Sequence, residues 1–478
     1  MKTTCLSAPV CSCGRPHGPA SLPVVAAELA VNLEAAVQQF VAASDQNLGH
    51  LEVEVQRQTQ ELQRRALEAA AQAKADATPP CCPVCHQPLS RLTQGHQRTF
   101  RTRFGPVSLR RSRGWCRRCK KWRFAADAVL GLEDSAGASP AVQELAALLA
   151  SKMPVEEAAR VLEHLTGVKL SASTLHREAR RQGERAQKVR AELDAQAARA
   201  SATQLELCLE PYQMILELDA WNIRERDEWG QTARWRRRGE EPQRWHWVWT
   251  GTVFRLDQRG QTAGGRPVIS QRGFVATRQG LEALREQLHA EALRRGLGQA
   301  AGALVIGDGA VWLWRLADDR WPQARQRLDY WHAVEHLAAV GRARFGEDHA
   351  ALNAWLEPLK RQLKNESAVK VIGQLEELLG QLEEGSSARE TVAREVAYLR
   401  EHQGRMDYRR AQRRKEPLGS GAVEATCAQY QCRFKRTSQF WSPAGTKPSC
   451  VWTLWRLSGA MSVGIYLRGH RPGNLSKN

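Results

Sequence analysis

Apolar residues recur at intervals of three and four through AAELAVNLEAAVQQF and LEVEVQRQTQELQRRALEAA. That spacing predicts two helices between Leu22 and Ala77, the second suited to a coiled coil and ended by Pro79-Pro80. The pattern then alternates in RTFRTRFGPVSLRRSRGW, which predicts short strands, and Ala125 to Gly137 reads as a linker-like connection. Helical periodicity returns from Pro140 and breaks at Met153-Pro154 and Thr166-Gly167. Three helices result, the third capped by Ser171 or Ser173, in the outline of a helix-turn-helix unit. After Leu205 come apolar runs of strand length, MILELDAW, HWVWTGTVF and PVISQRGFVA, then a helix around LEALREQLHAEALRRG and the strand ALVIGD. Gln323 to Phe345 reads as helix and Glu347 to Lys415 as a charged helical segment without strands. Gly419-Ser-Gly421 introduces a last helix near Ala422.

These patterns predict an α+β multidomain chain. An N-terminal helical region spans 1–78, a cysteine-bearing ribbon 79–125, a helix-turn-helix DNA-binding domain 138–200, and a strand-bearing domain 205–478 with a strandless helical stretch at about 345–415. The 478 residues suffice for two to four domains. Composition then narrows the partners. A net charge of +19 and a pI near 9.8 point to a polyanion, nucleic acid before anionic membrane. No apolar run approaches the length of a spanning helix, and MKTTCLSAPVCSCG lacks the apolar core of a signal peptide, so a cytoplasmic protein without a membrane partner is expected.

In that setting the twelve cysteines read as metal ligands or reduced core residues. Two C-x-x-C knuckles, Cys82/Cys85 and Cys116/Cys119, supply four thiolates for a structural zinc in a ribbon, with Cys81 able to replace Cys82 in the register. Cys11-Ser-Cys13 with Cys5 is a weaker set. Three acids stand apart from ordinary surface charge. Asp219 interrupts the apolar strand MILELDAW, Asp308 ends ALVIGD, and Glu424 lies just inside the last helix. Two strand aspartates and a helical glutamate suit two hard cations and phosphodiester chemistry. Singly, a strand-edge Asp is commonly a turn or cap residue, and Glu424 an ordinary first-turn acid. Competing with that chemistry, His332-Ala-Val-Glu335-His336 fits the H-x-x-E-H pattern of inverted zinc peptidases, and the same stretch contains the pair Asp329/His332.

The ordered set of motifs resembles the DDE transposases of bacterial insertion sequences, most closely the Kra-type group of the mutator-like branch. It comprises Phe104-Gly-Pro-Val-Ser-Leu-Arg110, Gly131-Leu132, Leu170-Ser-Ala-Ser-Thr-Leu175, Gly307-Asp-Gly-Ala310 with Trp312 and Trp314, and Asp329-Tyr-Trp-His332 with Glu335-His-Leu337. Arg405-Met-Asp-Tyr408 and Gly419-Ser-Gly-Ala-Val-Glu424 with Arg433 and Lys435 complete it. The resemblance implies an RNase-H-like catalytic domain interrupted by an all-helical insertion. It also implies two magnesium ions on Asp219, Asp308 and Glu424, and a D-x-x-H pair, Asp329 and His332, in support. Ala220 replaces the glycine that related sequences carry after the first Asp. Gln431 stands where a basic residue is expected, leaving Arg433 or Lys435 for that role. The implied activity is cleavage and strand transfer at the ends of the element.

Basic runs supply candidate DNA surfaces: Arg98 to Arg103, Arg110 to Arg113, Arg117-Arg118, Arg234-Trp-Arg-Arg-Arg238 with Arg236 and Arg237, and Arg409 to Lys415. The third helix of the helix-turn-helix presents Arg177, Arg180 and Arg181 as readers of double-stranded DNA at the terminal inverted repeats, and Trp441 is a candidate for stacking on an unpaired base. A two-ended substrate, with target DNA besides, suits a homo-oligomer. Two other readings stay open: a catalytically inactive, transposase-derived DNA-binding protein, and the zinc peptidase.

Overall fold

The N-terminal periodicity produces α1 (Leu22–Ala42) and α2 (Leu48–Asp76) in the computed structural model, which describes residues 22–133, 135, 137–200, 211–225, 237–239, 244–435 and 441–442. Asn47 opens α2 with a reciprocal cap: its side chain accepts from the His50 N–H while its own N–H donates to the His50 ring. The chain divides into two compact units, Met1–Ala179 and Arg180–Asn478.

In the first unit, β1 (Ser90–Thr102) and β2 (Gly105–Cys116) form one long antiparallel hairpin, and β3 (Lys121–Arg123) pairs with the end of β2. The expected short strands are therefore long. Arginines alternate with Phe100, Val107 and Leu109, which are buried with Leu132, and the arginine content masks that apolar face. β3 covers only the end of β2. Along the rest of that edge, Gln72 of α2 donates to the Arg110 carbonyl and accepts from the Arg110 N–H, and Glu68 accepts from the Ser108 N–H. The expected linker at 125–137 is packed instead. It contains α3 (Ala125–Val129), whose Asp127 makes a buried 2.5 Å ion pair with Arg111, and Arg111 also lies 4.2 Å from the Phe124 ring centre. Helices α4 (Pro140–Ala150), α5 (Val155–Thr166) and α6 (Ala172–Ala200) follow, broken at Pro154 and at Gly167 (φ +68°). Ser171 caps α6 by accepting from the Thr174 N–H. The early turns of α6 pack through Leu175 with Val142, Ala146 and Leu162.

The boundary between units falls inside α6. Its later turns belong to the second unit, where Arg190 bonds to the Phe274 carbonyl and to Glu291, and Asp194 pairs with Arg294. The second unit is built on a five-stranded sheet ordered β10-β9-β4-β5-β8. Its strands are β4 (Gln213–Glu225), β5 (Arg244–Arg255), β8 (Arg272–Thr277), β9 (Gly302–Gly307) and β10 (Arg325–Leu328); β6 (Arg259–Gln261) and β7 (Pro267–Ile269) make a separate pair. β4, β5 and β8 run antiparallel in succession, while β9 and β10 add on the other side of β4 in parallel. The run PVISQRGFVA is thus split between two sheets. The stretch before Tyr330 is strand where helix was expected, because RQRL is too polar to reveal itself: Arg325 and Arg327 take their charge partner from Glu416, far along the chain.

One face of this sheet packs Leu216, Leu218, Val253 and Val305 under α7 (Leu281–Arg294), α8 (Val311–Arg320) and α9 (Tyr330–Phe345). The opposite face gathers Ile215, Phe254, Leu304 and Ile306 with Ala422 at the start of α14. The charged stretch contains no strand among its described residues and forms α10 (His349–Asn365), α11 (Ala368–Gln381), α12 (Ser387–Glu401) and α13 (Tyr408–Arg413) before α14 (Gly421–Phe434). No described helix is long and apolar enough to cross a membrane.

Candidate functional site

Each C-x-x-C turn folds into a knuckle. The Cys82 N–H bonds to the Gln87 carbonyl, the Cys119 N–H points at the Cys116 sulfur, and the residues after the second cysteines, His86 and Lys120, take φ +58° and +51°. The two knuckles meet. The Sγ atoms of Cys82 and Cys119 are 3.8 Å apart, those of Cys85 and Cys116 3.4 Å, and all four lie within 4.8 Å of one another. Zinc with four thiolates at about 2.3 Å separates its sulfurs by about 3.8 Å, so this set can hold a metal such as zinc. Cys81 is outside the group, its backbone bridged to Pro88. Burial would push the Cys82 thiol up; the N–H groups of Cys85 and Val84 overcome it and bring the thiol down to about 6. Cys5, Cys11 and Cys13 lie outside the described residues.

The acids assemble differently. β9 pairs with β4 so that Ile306 faces Glu217, and carried two residues on, that register sets Asp308 opposite Asp219. β10 pairs with β9 so that Leu328 faces Gly307, and one residue on, Asp329 stands beside Asp308. Three adjacent parallel strands thus carry an aspartate at one level, inside β4 and just past the ends of β9 and β10, where sheets of this kind place their chemistry. Along β4, Asp219 shares the face of Ile215, which packs against the start of α14, the helix that carries Glu424.

Electrostatics shows the convergence. Burial raises the Asp219 carboxyl, and the Asp308 charge adds to it, while the Cys427 thiol, the Ala220 N–H and His332 oppose. Burial raises Glu424 too, with Asp329 and Asp219 adding and Ser420 and His332 opposing. Asp308 accepts from the Ala310 N–H at 3.0 Å, folding its loop through Gly309 at φ +95°. The Tyr398 hydroxyl of α12 donates to the Asp308 carbonyl at 2.7 Å, so tightly that a side chain at Gly309 would strike it. Carboxylate oxygens crowded this way suit hard cations. They are less tightly drawn than the thiols: among the described residues the cysteines alone form a group of ligand atoms within 4.8 Å.

Asp329 is fully buried and acts as a hub. One oxygen accepts from the Trp331 and His332 N–H groups and caps α9; the other accepts from the N–H and hydroxyl of Ser420. Gly419 permits this approach, since a Cβ there would lie 2.5 Å from the carboxylate. The Ser420 hydroxyl also lies 2.8 Å from Glu424. The sequence reading missed Glu217, 1 % exposed, which accepts from the Val423 N–H at 2.9 Å. Burial pushes its carboxyl up to about 8, with the Val423 and Ala422 N–H groups opposing and the Asp329 and Glu424 charges adding. Its signal lay in the triplet Glu217-Leu-Asp219, two acids on one strand face amid apolar residues.

The H-x-x-E-H residues do not gather. His336 bonds to Glu395 at 2.5 Å and stacks on Tyr398, while His332 lies 3.2 Å from Glu335 and in the field of the acids; no ligand group forms from them among the described residues. Trp441 is a correction. It is 7 % exposed, donates to the Phe434 carbonyl and is covered by Arg433 at 4.5 Å, so it is core and not a stacking platform. Arg433 is buried with it, and Lys435 lies 5.8 Å over Trp221. On α6, Arg177 is exposed, Arg180 pairs with Glu184 at 2.9 Å, and Arg181 is half-buried. Arg237 is exposed, and Arg236 lies outside the described residues. No protein-family model matches the chain, and no curated protein matches it.

Proposed function

We propose that this chain is a DDE-type transposase that binds the terminal inverted repeats of its own insertion sequence and cuts and joins DNA strands. One observation carries the reading: the alignment of Asp219, Asp308 and Asp329 at one level of three adjacent parallel strands, with Glu424 on the helix packed over that face. The strand order, three antiparallel strands in succession and two parallel ones beyond the first, supports an RNase-H-like sheet, and the helical stretch between Asp308 and Glu424 supports the expected insertion. Asp219, Asp308 and Glu424 would hold two magnesium ions, which when bound polarise the attacking water or 3′-hydroxyl and stabilise the leaving oxygen.

The chain's own contribution is placement. The strand ladder sets Asp219 against Asp308, Tyr398 holds the Asp308 loop, and Asp329 ties the start of α9 to the segment before Glu424. His332 lies near Asp219 and Glu424 and favours their charged forms. The net charge of +19 supports phosphate contact, and the cysteine ribbon and the α4–α6 unit are the proposed DNA-binding elements of a homo-oligomer on double-stranded repeat and target DNA.

The test uses purified protein with labelled DNA taken from the flanks of its own reading frame. Wild type cuts with magnesium, and Asp308→Asn binds equally but does not cut. Binding without cutting by the wild type would instead establish a catalytically inactive DNA-binding protein.

A further inference from the structure

The start of α14 is capped in an unusual way. A helix leaves its first N–H groups without internal partners, and the residue before the helix ordinarily satisfies those at the second and third positions with its own side chain. Ser420 occupies that place and has the right chemistry, yet it makes no such bond; its hydroxyl is turned to Asp329 and Glu424 instead. The Val423 N–H is taken at 2.9 Å by Glu217, a side chain from β4 more than two hundred residues earlier, with the Ala422 N–H also favouring its charged form.

Glu217 is fully buried and its acceptors are spent on backbone, so it has no surface to offer a substrate. It shares a strand face with Asp219, two residues further on, and the helix it caps carries Glu424 one residue beyond Val423. One short segment of β4 therefore both bears the first acid of the cluster and grips the helix bearing the last. We propose that Glu217 is a positioning residue, whose reach to the Val423 N–H sets the distance of Glu424 from Asp219. The proposal rests on the reading of those two acids as ligands in one metal site.

Two conservative variants separate reach from the chemistry of the acceptor group. Glu217→Gln keeps an acceptor oxygen at the same reach and replaces the carboxyl by an amide, whereas Glu217→Asp keeps the carboxyl and withdraws it by about 1.5 Å. In the metal-free full-length protein, amide exchange of the segment around 421–424 is followed by mass spectrometry; manganese binding is followed separately by paramagnetic resonance. Glu217→Asp is expected to speed exchange there by about fivefold, the worth of one lost cap, and to weaken manganese binding by at least about tenfold, as for lost support of metal ligands. Glu217→Gln is expected to stay close to wild type in both. The reverse ranking would mean that the carboxyl group and not its reach matters, and would overturn the proposal, as would equal behaviour of the two variants. A wild type that binds no manganese refutes the metal-site reading, and with it the distance argument, while the exchange ranking still decides whether Glu217 caps the helix.

Discussion

The cysteine cluster and the acid cluster of this chain are built on opposite plans. The cysteines come from two turns at the ends of one hairpin, and each turn delivers two sulfurs through its own backbone. The acids come from a strand interior, two strand ends and a helix, spread from Asp219 to Glu424, and nothing local sets their spacing. The first plan needs a short motif. The second needs a sheet register and side chains that tie distant segments together, the buried Glu217 and Asp329 and the half-buried Tyr398. Spacing in sequence therefore reports the first cluster well and the second poorly.

The largest effect should fall on the cysteine cluster, where one substitution removes both a ligand and the closure of the hairpin. Cys116→Ser should lower bound zinc from one per chain to none by elemental analysis and unfold the ribbon, since structural zinc contributes on the order of 10 kcal/mol to such small sites. A ribbon that keeps its fold without metal would break the comparison, because both clusters would then rest on packing. Next is Asp329→Ala, which strands four donors. A loss of about 4 kcal/mol, about one for each donor, is expected in denaturant unfolding of the second unit. A near-neutral result would mean that the acid cluster does not depend on its hub.

A smaller effect sharpens the contrast of fields. Burial raises Glu291, but the surrounding Arg190, Arg294 and Arg295 outweigh it and lower the carboxyl from 4.5 to about 2, opposite in sense to the acids near Asp219. Its folded-state value is depressed, so it contributes stability that is fully present above about 4.5 and lost as pH falls toward about 2. Acid unfolding of Glu291→Gln should lack that component. Smallest is the surface. Replacing Arg177 and Arg180 together by Ala should reduce the salt slope of DNA binding by about 2, with little change in fold.

How much of this was legible follows the same division. C-x-x-C spacing, the helix breaks at Pro154 and Gly167 and the strandless stretch before Lys415 are local signals, and each could be read directly. Asp219, Asp308 and Glu424 were visible as acids in unusual company. Their alignment was not, because it depends on a parallel register between strands some ninety residues apart. β10 was hidden because its arginines look like helix surface until Glu416 arrives to neutralise them. Glu217 was hidden by its neighbour: one acid in an apolar strand draws attention, and the second was absorbed into the background. The packed segment after Ala125 escaped because Arg111, its buried partner, belongs to a different strand.

The bond from Asp329 to Ser420 spans ninety-one residues of chain and closes them into a ring. Leu418 and Tyr330 are joined beside it, as are Glu416 and Arg327, so the excursion leaves and returns through a single doorway. Whatever lies beyond such a doorway can change in size at little entropic cost, because closing a longer ring costs only slightly more than closing a shorter one. The loop length is therefore free to vary, but its packing is not: Leu356, Leu375 and Val396 share one apolar core with Leu216 and Val305 of the sheet. A replacement would have to restore that packing and also a hydroxyl where Tyr398 now reaches the Asp308 carbonyl.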